Sequence, residues 1–158
     1  MAFTIRAATV EDVPALLSLV RELAEFEHLA HEVVGDAESM RHALASGHCE
    51  ALLAESGDES VGLALYFHNF STFLARRGLY LEDLYVKPAF RKQGLGRALL
   101  QRLAQIAIER GCGRFEWSVL DWNVDAMRFY ESLGAKPIEE WVICRLTGDS
   151  LRTLAGES

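Results

Sequence analysis

The first clear pattern in the chain is helical. Apolar side chains recur at every third or fourth position between Val13 and Ala24, which predicts an amphipathic helix that runs to about His28. Thr9 and Asp12 precede this run with the spacing of a helix cap, a hydroxyl followed three residues later by an acid. The helix is therefore predicted to begin directly after this pair.

Four further helical segments are predicted, and most have a marked start or end. A weaker one covers 37–45, and a long one with an apolar face extends from a glycine-rich turn at 91–96 to Gly111. A short helix begins at Asn123, reaches Leu133 and stops at Gly134. Asp149 is expected to cap a final helical turn.

Shorter apolar or alternating runs predict strands at 3–6, 51–54, 61–67, 79–86, 115–120 and 141–146. The Gly57-Asp58 pair predicts a hairpin between the second and third of these. Pro88 ends the fourth, because proline has no N–H for a sheet ladder. Hairpins come first and strands later alternate with helices, so the pattern predicts an α/β (α+β) fold in which helices cover a mixed sheet.

The composition is typical of one compact, soluble domain. The chain has 158 residues, 50% of them apolar and 25% charged, without a repeat or a linker rich in Pro, Gly or Ser. We therefore expect a single domain spanning 1–158. No stretch approaches 18 uninterrupted apolar residues, and no secretory leader is evident, so neither a membrane span nor export is expected. A cytoplasmic location follows as the expectation.

The charge balance bears on partners and metals. A net charge of −7 argues against nucleic acid as the main partner. It suits a cationic small substrate, although solubility alone is the commoner reason for an acidic surface. Cys49, Cys112 and Cys144 are far apart without a Cys-x-x-Cys pair, which argues against structural zinc or a disulfide framework. The cysteines are expected in the core, and no bound metal is expected.

The segment Arg91-x-x-Gly94-x-Gly96, between a predicted strand and a predicted helix, has the composition of an anion site. The first N–H groups of a helix have no partner within it, and the helix dipole makes that end partially positive. Glycines remove the Cβ atoms that would keep a phosphate away, while Lys92 and Arg97 add charge. A diphosphate is the natural occupant; the alternative is a turn whose glycines serve backbone shape alone.

Two familiar diphosphate motifs fit this turn poorly. A P-loop needs Gly-Lys followed by Ser or Thr, whereas Arg97 and Ala98 follow Gly96. A dinucleotide fingerprint needs a third glycine, where Leu99 stands, and an acid at a strand end, whereas Glu116 is predicted within a strand. A third motif fits better: the turn and the strand before it resemble the acetyl-CoA pyrophosphate loop of the GNAT acetyltransferase superfamily.

A second motif lies further along the chain. Residues 123–134 resemble the GNAT pattern Asn-x-x-Ala-x-x-Phe-Tyr-x-x-x-Gly, which borders the pantetheine arm and places a tyrosine near the thioester. Asn123, Ala126 and Tyr130 share one helix face, and Asn123 can also cap the helix. Phe129 is expected to pack this helix against the sheet. Both motifs occur in the order and at the separation expected of this superfamily. Together they carry the resemblance.

Nearly the whole chain resembles one group of that superfamily, the diamine acetyltransferases that act on spermidine, spermine or thialysine. The resemblance runs from 5–9 through 22–27, 79–86 and 122–123 to the final predicted strand at 141–146, and the Tyr-Leu-Glu-Asp run at 80–83 is its most telling part. Asp121 stands where a glutamate is expected, and the segment 49–61 is shorter than in animal members, which leaves the identity of the amine open. The resemblance implies a GNAT-type acyl-CoA N-acyltransferase fold with a mixed, mostly antiparallel sheet.

The resemblance also implies the chemistry: acetyl transfer from acetyl-CoA, as co-substrate, to a primary amine of a small cationic acceptor, by direct attack in a ternary complex without a metal. Glu82 would take the amine proton, directly or through water, and Tyr130 would protonate the departing thiolate or hold its sulfur. The backbone of 84–86 would pair with pantetheine where two strands splay apart. Acetyl-CoA would be bound by Leu84, Tyr85, Val86, Arg91, Lys92, Gln93, Gly94, Leu95, Gly96, Arg97, Asn123, Val124, Asp125, Ala126 and Tyr130. The amine pocket would comprise Phe26, Glu27, Glu82, Glu116, Trp117, Ser118 and Glu140.

Other functions stay open at this point. A non-catalytic acyl-CoA sensor would keep the fold, but it would have no reason to need Glu82 and Tyr130 together. A nucleotide-dependent enzyme is a more remote alternative. A protein N-terminus or an aminoglycoside is compatible with the same fold as acceptor. Glu27 and Glu140 are equally explained as solvated surface.

One surface is predicted for a protein partner. Phe70, Phe73 and Leu74 lie beside Arg76 and Arg77 in the sequence, and an apolar group flanked by charge is typical of an exposed contact surface. The resemblance implies that the partner is a second copy of the chain, in a homodimer.

Overall fold

The computed structural model describes residues 2–157, which form two compact units, one up to Ser118 and the other from Val119. The first unit contains, in chain order, β1 (Thr4–Ala7), α1 (Val13–Phe26), α2 (Ala37–Ser46), β2 (Glu50–Ser56), β3 (Glu59–Ser71), β4 (Arg76–Val86), α3 (Leu95–Glu109) and β5 (Phe115–Trp117). The second contains α4 (Val124–Ser132) and α5 (Gly148–Leu154).

The strands of the first unit form one sheet in the order β1-β2-β3-β4-β5. The first four run antiparallel to their neighbours, and β5 joins β4 in parallel, which confirms the predicted mixed, mostly antiparallel sheet. The predicted hairpin between β2 and β3 turns at Gly57, whose φ of 61° lies in the left-handed region that glycine tolerates. β3 and β4 extend further than predicted, into a long hairpin whose tip exposes Phe70 and Phe73.

Two helices cover opposite faces of this sheet. α1 carries Leu16 and Leu19 into a buried cluster with side chains of β2, β3 and β4. α3 packs against β2, β3 and β4 from the other side and buries its apolar stripe there. Gly62 on β3 permits this close approach, because a Cβ atom there would lie 3.1 Å from the Tyr85 carbonyl oxygen and 3.6 Å from Leu95. The periodicity that predicted both helices therefore marks the faces that they bury.

A β-bulge in β4 decides which side chains reach the α1 face. Leu65 pairs with Asp83 and Tyr66 pairs with Leu81, so Glu82 has no partner on β3. The extra residue breaks the regular alternation of faces. Leu65 belongs to the buried cluster beneath α1. Asp83 therefore lies on the α1 face, whereas Leu81 lies on the α3 face.

β4 and β5 separate part-way along their length. β5 pairs with β4 only at residues 79–81, while β4 continues to Val86. The outer edge of 82–86 has no strand partner among residues 2–157. This stretch of backbone is open to a ligand that adds to the sheet like a further strand.

Two strand predictions are wrong in part or in full. The segment 141–146 is not a strand: it forms no ladder with any described part of the chain, and Trp141, Val142 and Ile143 are exposed. A β-branched and aromatic run becomes a strand only when a neighbouring strand pairs with it. The strand predicted at 115–120 stops at Trp117, because the bulge at Glu82 bends β4 away from it.

One of the predicted helix caps is confirmed, and another is wrong. Thr9 and Asp12 form the predicted capping box directly before α1. α5 follows Thr147, so Asp149 is not its cap and lies instead in its first turn. The acid still lies where the positive end of the helix dipole favours a negative charge.

Two expectations from the composition concern the burial of the cysteines and the length of apolar helices. Cys49 and Cys112 are half-buried, but Cys144 is exposed, so the prediction of a core position is wrong for Cys144. The reason is that Cys144 lies in the segment that forms no strand. No helix within residues 2–157 has the length and apolar character needed to cross a membrane.

Candidate active site

The glycine turn leads from the end of β4 to the start of α3. After a 3₁₀ turn at Pro88–Phe90, Gly94 occupies the N-cap position of α3 with a φ of 81°, in the left-handed region. Since Gly94 provides no side chain, the N–H groups in the first turn of α3 have no side-chain cap. Together with the helix dipole, these groups form a site suited to an anion at the end of β4.

Gly96 leaves the space beside these N–H groups open. A Cβ atom added at Gly96 would meet no neighbouring atom of the described residues within 4 Å, and the same holds at Gly94. Lys92 and Arg97 are exposed around this space, where their charges complement a diphosphate. The side chain of Leu95 is buried, so only its backbone can reach a ligand. The space and the donors of the turn therefore fit a diphosphate group.

Two side chains of the turn are held by the protein itself. Arg91 donates from Nε to the Val86 carbonyl oxygen at 2.8 Å, and its guanidinium carbon lies 5.2 Å from the centre of the Phe26 ring. Gln93 donates from Nε2 to the Ala89 carbonyl oxygen at 3.4 Å. Arg91 thus connects the end of β4 with the end of α1 through a cation–π contact. A residue predicted to bind the cofactor therefore touches one predicted to bind the acceptor.

The predicted backbone site for the cofactor arm is the open edge of β4. Tyr85 is buried, and its hydroxyl donates to a Glu22 carboxylate oxygen at 3.2 Å. Its side chain therefore belongs to the core, and its main chain alone can contact a ligand. Leu84 and Val86 are half-buried. Because the Val86 carbonyl already accepts from Arg91, a ligand on this edge would use the other backbone groups of the stretch.

Three carboxylates gather where the bulge of β4 meets the end of α1. Glu82 is exposed at the bulge, Asp83 follows it on the α1 face, and Glu27 is the C-cap of α1. Burial raises the pKa of Asp83 to about 6, and the negative charges of Glu82 and Glu27 add to the shift. Burial also raises the pKa of Glu27. A bound cation would relieve the repulsion among these groups, so the cluster is suited to an ammonium ion.

Beyond Asp83 the same face of the sheet becomes aromatic. The rings of Phe67 and Tyr80 lie 5.2 Å apart. The Tyr80 hydroxyl and the Ser118 hydroxyl form a hydrogen bond of 2.7 Å, which connects β4 to the residue that follows β5. An aromatic wall next to carboxylates suits an alkyl ammonium group.

The predicted pocket residues of β5 divide between the two faces of the sheet. Glu116 pairs in register with Tyr80 and therefore shares its face. Trp117 alternates to the α3 face, with its ring 4.9 Å from that of Phe115. Glu116 and Ser118 therefore lie on the side of the carboxylate cluster, whereas Trp117 does not.

The second unit carries the other predicted cofactor residues on α4. Asn123 caps this helix as predicted, because its Oδ1 accepts from the Ala126 N–H at 3.3 Å. Ala126 and Tyr130, one turn apart, are half-buried on one face of the helix. Val124 and Asp125 are exposed in the first turn. The helix therefore presents a small residue and a phenol on the same side as its cap.

Two other residues of this unit belong to the earlier predictions. Phe129 lies beside Tyr130, with ring centres 5.6 Å apart. Glu140 is exposed in a turn at 139–140, outside any helix or strand. Its place in an amine pocket stays a prediction.

The sequence patterns missed Asp83 and Tyr80 as members of the carboxylate face. Strict alternation along β4 would place Asp83 with Leu79 and Leu81, on the α3 face. The bulge at Glu82 moves it to the opposite face. The available signal was a pair of consecutive acids inside an otherwise apolar strand, which is unusual unless the charges serve a site.

The glycine turn, the separated strands β4 and β5 and the capped helix α4 all lie in a part of the chain that matches a known family. Residues 17–135 match the model of the Acetyltransferase (GNAT) family. The chain belongs to the GNAT acetyltransferase family. Its match includes the carboxylate cluster of the first unit and the whole of α4 in the second.

Two relatives that match nearly the whole of this GNAT protein are named as acetyltransferases. Thialysine N-epsilon-acetyltransferase of Bos taurus is 38% identical over 99% of this chain and 100% of the relative. L-ornithine N5-acetyltransferase of Arabidopsis thaliana is 32% identical over 95% of this chain and 86% of the relative. A solved integron cassette protein from the mobile metagenome of V. cholerae is 26% identical, with a TM-score of 0.80 and 98% of both chains covered. The GNAT fold and an N-acetyltransferase activity are thereby confirmed.

Proposed function

We propose that this GNAT enzyme transfers the acetyl group of acetyl-CoA to a primary amine of a small cationic acceptor, either a polyamine or diamine or a thialysine-like amino acid. The observation that carries the proposal is the cluster of Glu27, Glu82 and Asp83 beside the open edge of β4. The glycine turn follows on from the same strand, so a cation site and a diphosphate site are close neighbours. The relatives named for thialysine and ornithine support an acceptor with a terminal amine.

When bound, acetyl-CoA would supply a thioester carbonyl for attack by the amine nitrogen. The first-turn N–H groups at Gly96 and Arg97 would hold the diphosphate, and Lys92 would add charge. The outer edge of β4 at 82–86 would hydrogen-bond the pantetheine arm. Asn123 and Ala126 of α4 would border that arm.

Glu82 is the proposed base. An alkyl ammonium group has a pKa of about 10, so the acceptor arrives protonated and unreactive at neutral pH. Glu82 is exposed in the carboxylate cluster and would take that proton directly or through one water molecule. The nitrogen would then form the C–N bond as the C–S bond breaks, with both substrates bound together. The second proton that the nitrogen loses would pass to the departing sulfur, which leaves as the CoA thiol. Asp83 and Glu27 would hold the ammonium in place beforehand.

Tyr130 is proposed to interact with the leaving sulfur. A thiol has a pKa of about 8.5 and a phenol one of about 10, so complete proton transfer from Tyr130 is uphill. Replacement of Tyr130 by Phe is expected to lower kcat about tenfold, the contribution of one hydrogen bond, and to leave the KM for acetyl-CoA nearly unchanged. Steady-state kinetics check this, with thermal unfolding as the control for folding. An unchanged kcat would show that Tyr130 has no part in the reaction.

Asp83 is expected to make the activity fall at acid pH. This fall is the acid limb of the pH profile. Above pH 6 its carboxylate is ionised and attracts the ammonium, whereas below pH 6 it takes up a proton, so kcat/KM for the amine falls as the pH falls. Asp83→Asn is expected to flatten this limb and to lower kcat/KM at pH 8 about tenfold. The raised pKa means that ionised Asp83 destabilises the fold, so the variant is expected to be at least as stable at pH 7.

The matched control for this variant is Asp58→Asn, in the exposed turn between β2 and β3. It is expected to keep the wild-type pH profile. An Asp83→Asn enzyme that retained the acid limb would assign the limb to another group.

We also propose that the two compact units belong to one catalytic domain spanning 1–158. The family match supports this, because it runs across the boundary at Ser118. The exposed side chains of Phe70, Phe73 and Leu74 at the hairpin tip support a homodimer.

The proposed function is tested by measuring release of the CoA thiol with putrescine, spermidine, lysine and thialysine as acceptors. Turnover with at least one of these amines, with the acetyl group found on its nitrogen by mass spectrometry, is the expected result. CoA binding without turnover on any amine would favour a non-catalytic sensor. Absence of CoA binding would overturn the proposal altogether.

A further inference from the structure

Arg91 lies where the proposed cofactor and acceptor parts of the site meet. Its Nε donates to the Val86 carbonyl oxygen at 2.8 Å, and its guanidinium carbon lies 5.2 Å from the centre of the Phe26 ring and 5.5 Å from that of Tyr85. Phe26 is the last residue of α1, directly before Glu27 of the carboxylate cluster. One side chain of the glycine turn therefore contacts both the end of β4 and the end of α1.

The Val86 carbonyl belongs to the open edge of β4. The Lys87 N–H donates to the Val61 carbonyl oxygen at 2.9 Å, so Lys87 directs its backbone groups toward β3. Successive residues of an antiparallel strand direct these groups to opposite sides, so Val86 directs its carbonyl outward. Arg91 is thus hydrogen-bonded to the last outward-facing carbonyl of β4 before the turn.

The two rings that contact Arg91 differ in burial. Tyr85 is buried, and its hydroxyl donates to a Glu22 carboxylate oxygen at 3.2 Å. Lys87 holds the same carboxylate, with its Nζ 3.5 Å from the other Glu22 oxygen. Phe26, by contrast, is 42% exposed at the end of its helix. A change in the position of the guanidinium would therefore move the Phe26 ring rather than the Tyr85 ring.

The positive charge of Arg91 is available to an anion. Its side chain is exposed and forms no ion pair with a carboxylate of residues 2–157. Arg91 precedes Gly94, the N-cap of α3, by three residues, so the proposed diphosphate site is close by. A guanidinium donates hydrogen bonds from its edge while its face packs on a ring. Arg91 can therefore bind a phosphate oxygen without leaving Phe26.

We propose that Arg91 couples the two substrate sites. Arg91, held by a diphosphate bound at the glycine turn, would in turn hold Phe26 and Glu27 in position for the amine. This rests on the proposed acetyl transfer from acetyl-CoA to a cationic amine. Arg91 is thus a positioning residue for the acceptor, because it acts on the amine through Phe26. Ordering the end of α1 in advance removes a cost of binding the amine.

Calorimetric titration of spermidine and of lysine, each with and without saturating CoA, tests this coupling. CoA is expected to tighten amine binding about two- to fivefold, the contribution of one exposed cation–π contact. Coupling is reciprocal, so the amine is expected to tighten CoA binding by the same factor. Adenosine 3′-phosphate 5′-diphosphate, which is CoA without its pantetheine arm, is expected to act like CoA, although it has no group near the amine. Wild-type coupling that is absent, or that needs the pantetheine arm, would overturn the proposal.

Two substitutions are expected to remove the coupling by different routes. Arg91→Lys keeps a positive charge but lacks the flat group that binds a phosphate and packs on Phe26 at once. Phe26→Leu keeps an apolar side chain without a ring. Both variants are expected to bind the amine as the wild type does without CoA, and to show no tightening when CoA is added. Phe26→Tyr is expected to retain the tightening, and Arg41→Lys, at an exposed position of α2, is the matched control.

The dependence on CoA separates positioning from a structural role. Damage to the fold would weaken amine binding equally with and without CoA, and that result would overturn the coupling. In steady-state kinetics, the KM for the amine at saturating acetyl-CoA is expected to rise about two- to fivefold in both variants, with kcat nearly unchanged.

Failure of the coupling and failure of the proposed function give different results. If no amine were acetylated while Arg91→Lys and Phe26→Leu still abolished the CoA-dependent tightening, the acetyl transfer would fail and the coupling would stand. Amine acetylation with the same coupling in wild type and both variants would leave the acetyl transfer intact and overturn the coupling.

Discussion

Replacement of Glu82 by Gln is expected to lower kcat for amine acetylation about 10²- to 10⁴-fold at pH 7, the usual contribution of a general base. Glutamine has nearly the same size as glutamate, so the bulge of β4 at this position should persist. Its amide cannot accept a proton from an ammonium group, and the acceptor would then have to lose that proton to solvent. Steady-state release of the CoA thiol, measured with a saturating amine, provides the test.

The pH dependence of this variant separates a chemical role from a structural one. Raising the pH toward the amine pKa of about 10 generates free amine without help from the enzyme. The deficit of Glu82→Gln is therefore expected to shrink steadily between pH 7 and pH 9. Glu38→Gln, in the exposed first turn of α2, is the matched control and should behave as wild type. A deficit that did not change with pH would argue against Glu82 as the base.

Replacement of Gly96 by Val is expected to weaken CoA binding on the order of 100-fold, because two charge-assisted hydrogen bonds worth about 1.5 kcal/mol each would be lost. A Cβ atom added at Gly96 would meet no neighbouring atom of the described residues within 4 Å, so we expect the protein to accommodate the valine. Gly96 also lacks the positive φ that makes a substitution strained. The valine would occupy the space through which a diphosphate must approach the first-turn N–H groups of α3. Isothermal titration calorimetry with CoA measures the effect.

The same substitution at a second glycine tests whether the loss of CoA affinity is specific to Gly96. Gly35 precedes α2, has no positive φ, and likewise has no atom within 4 Å of an added Cβ. Gly35→Val is expected to keep the wild-type affinity for CoA, and both variants are expected to keep the wild-type unfolding temperature within a few degrees. Equal CoA affinity in Gly96→Val and wild type would place the diphosphate elsewhere.

Local patterns were sufficient for the helices and several of their ends. The apolar spacing between Val13 and Ala24, with the capping pair Thr9 and Asp12, predicted α1 and its start. Such predictions succeed because helical hydrogen bonds and caps join residues within one or two turns of the chain. The Asn123 cap of α4 is a second example.

Pairing between distant strands was the main source of error. The run at 141–146 has strand-forming residues but no partner strand in the described chain, and the run at 115–120 was shortened where β4 bends away. Strand formation depends on a neighbour that can be far away in the sequence. The position of Asp83 on the α1 face was missed for a related reason, because a single extra residue at Glu82 reverses the alternation of side chains along β4.

By itself, the sequence determined the family, most helices, the diphosphate turn at Gly94 and Gly96, and the candidate base Glu82, because each rests on residues close together in the chain. Only the tertiary structure decided that Asp83 turns toward α1 and that it shares a face of the sheet with Tyr80 and Glu116. Strand register and bulges assemble these groups from separate segments, and register is set by side-chain packing across the sheet. Local sequence patterns do not predict this packing directly, because it joins residues that are far apart in the chain.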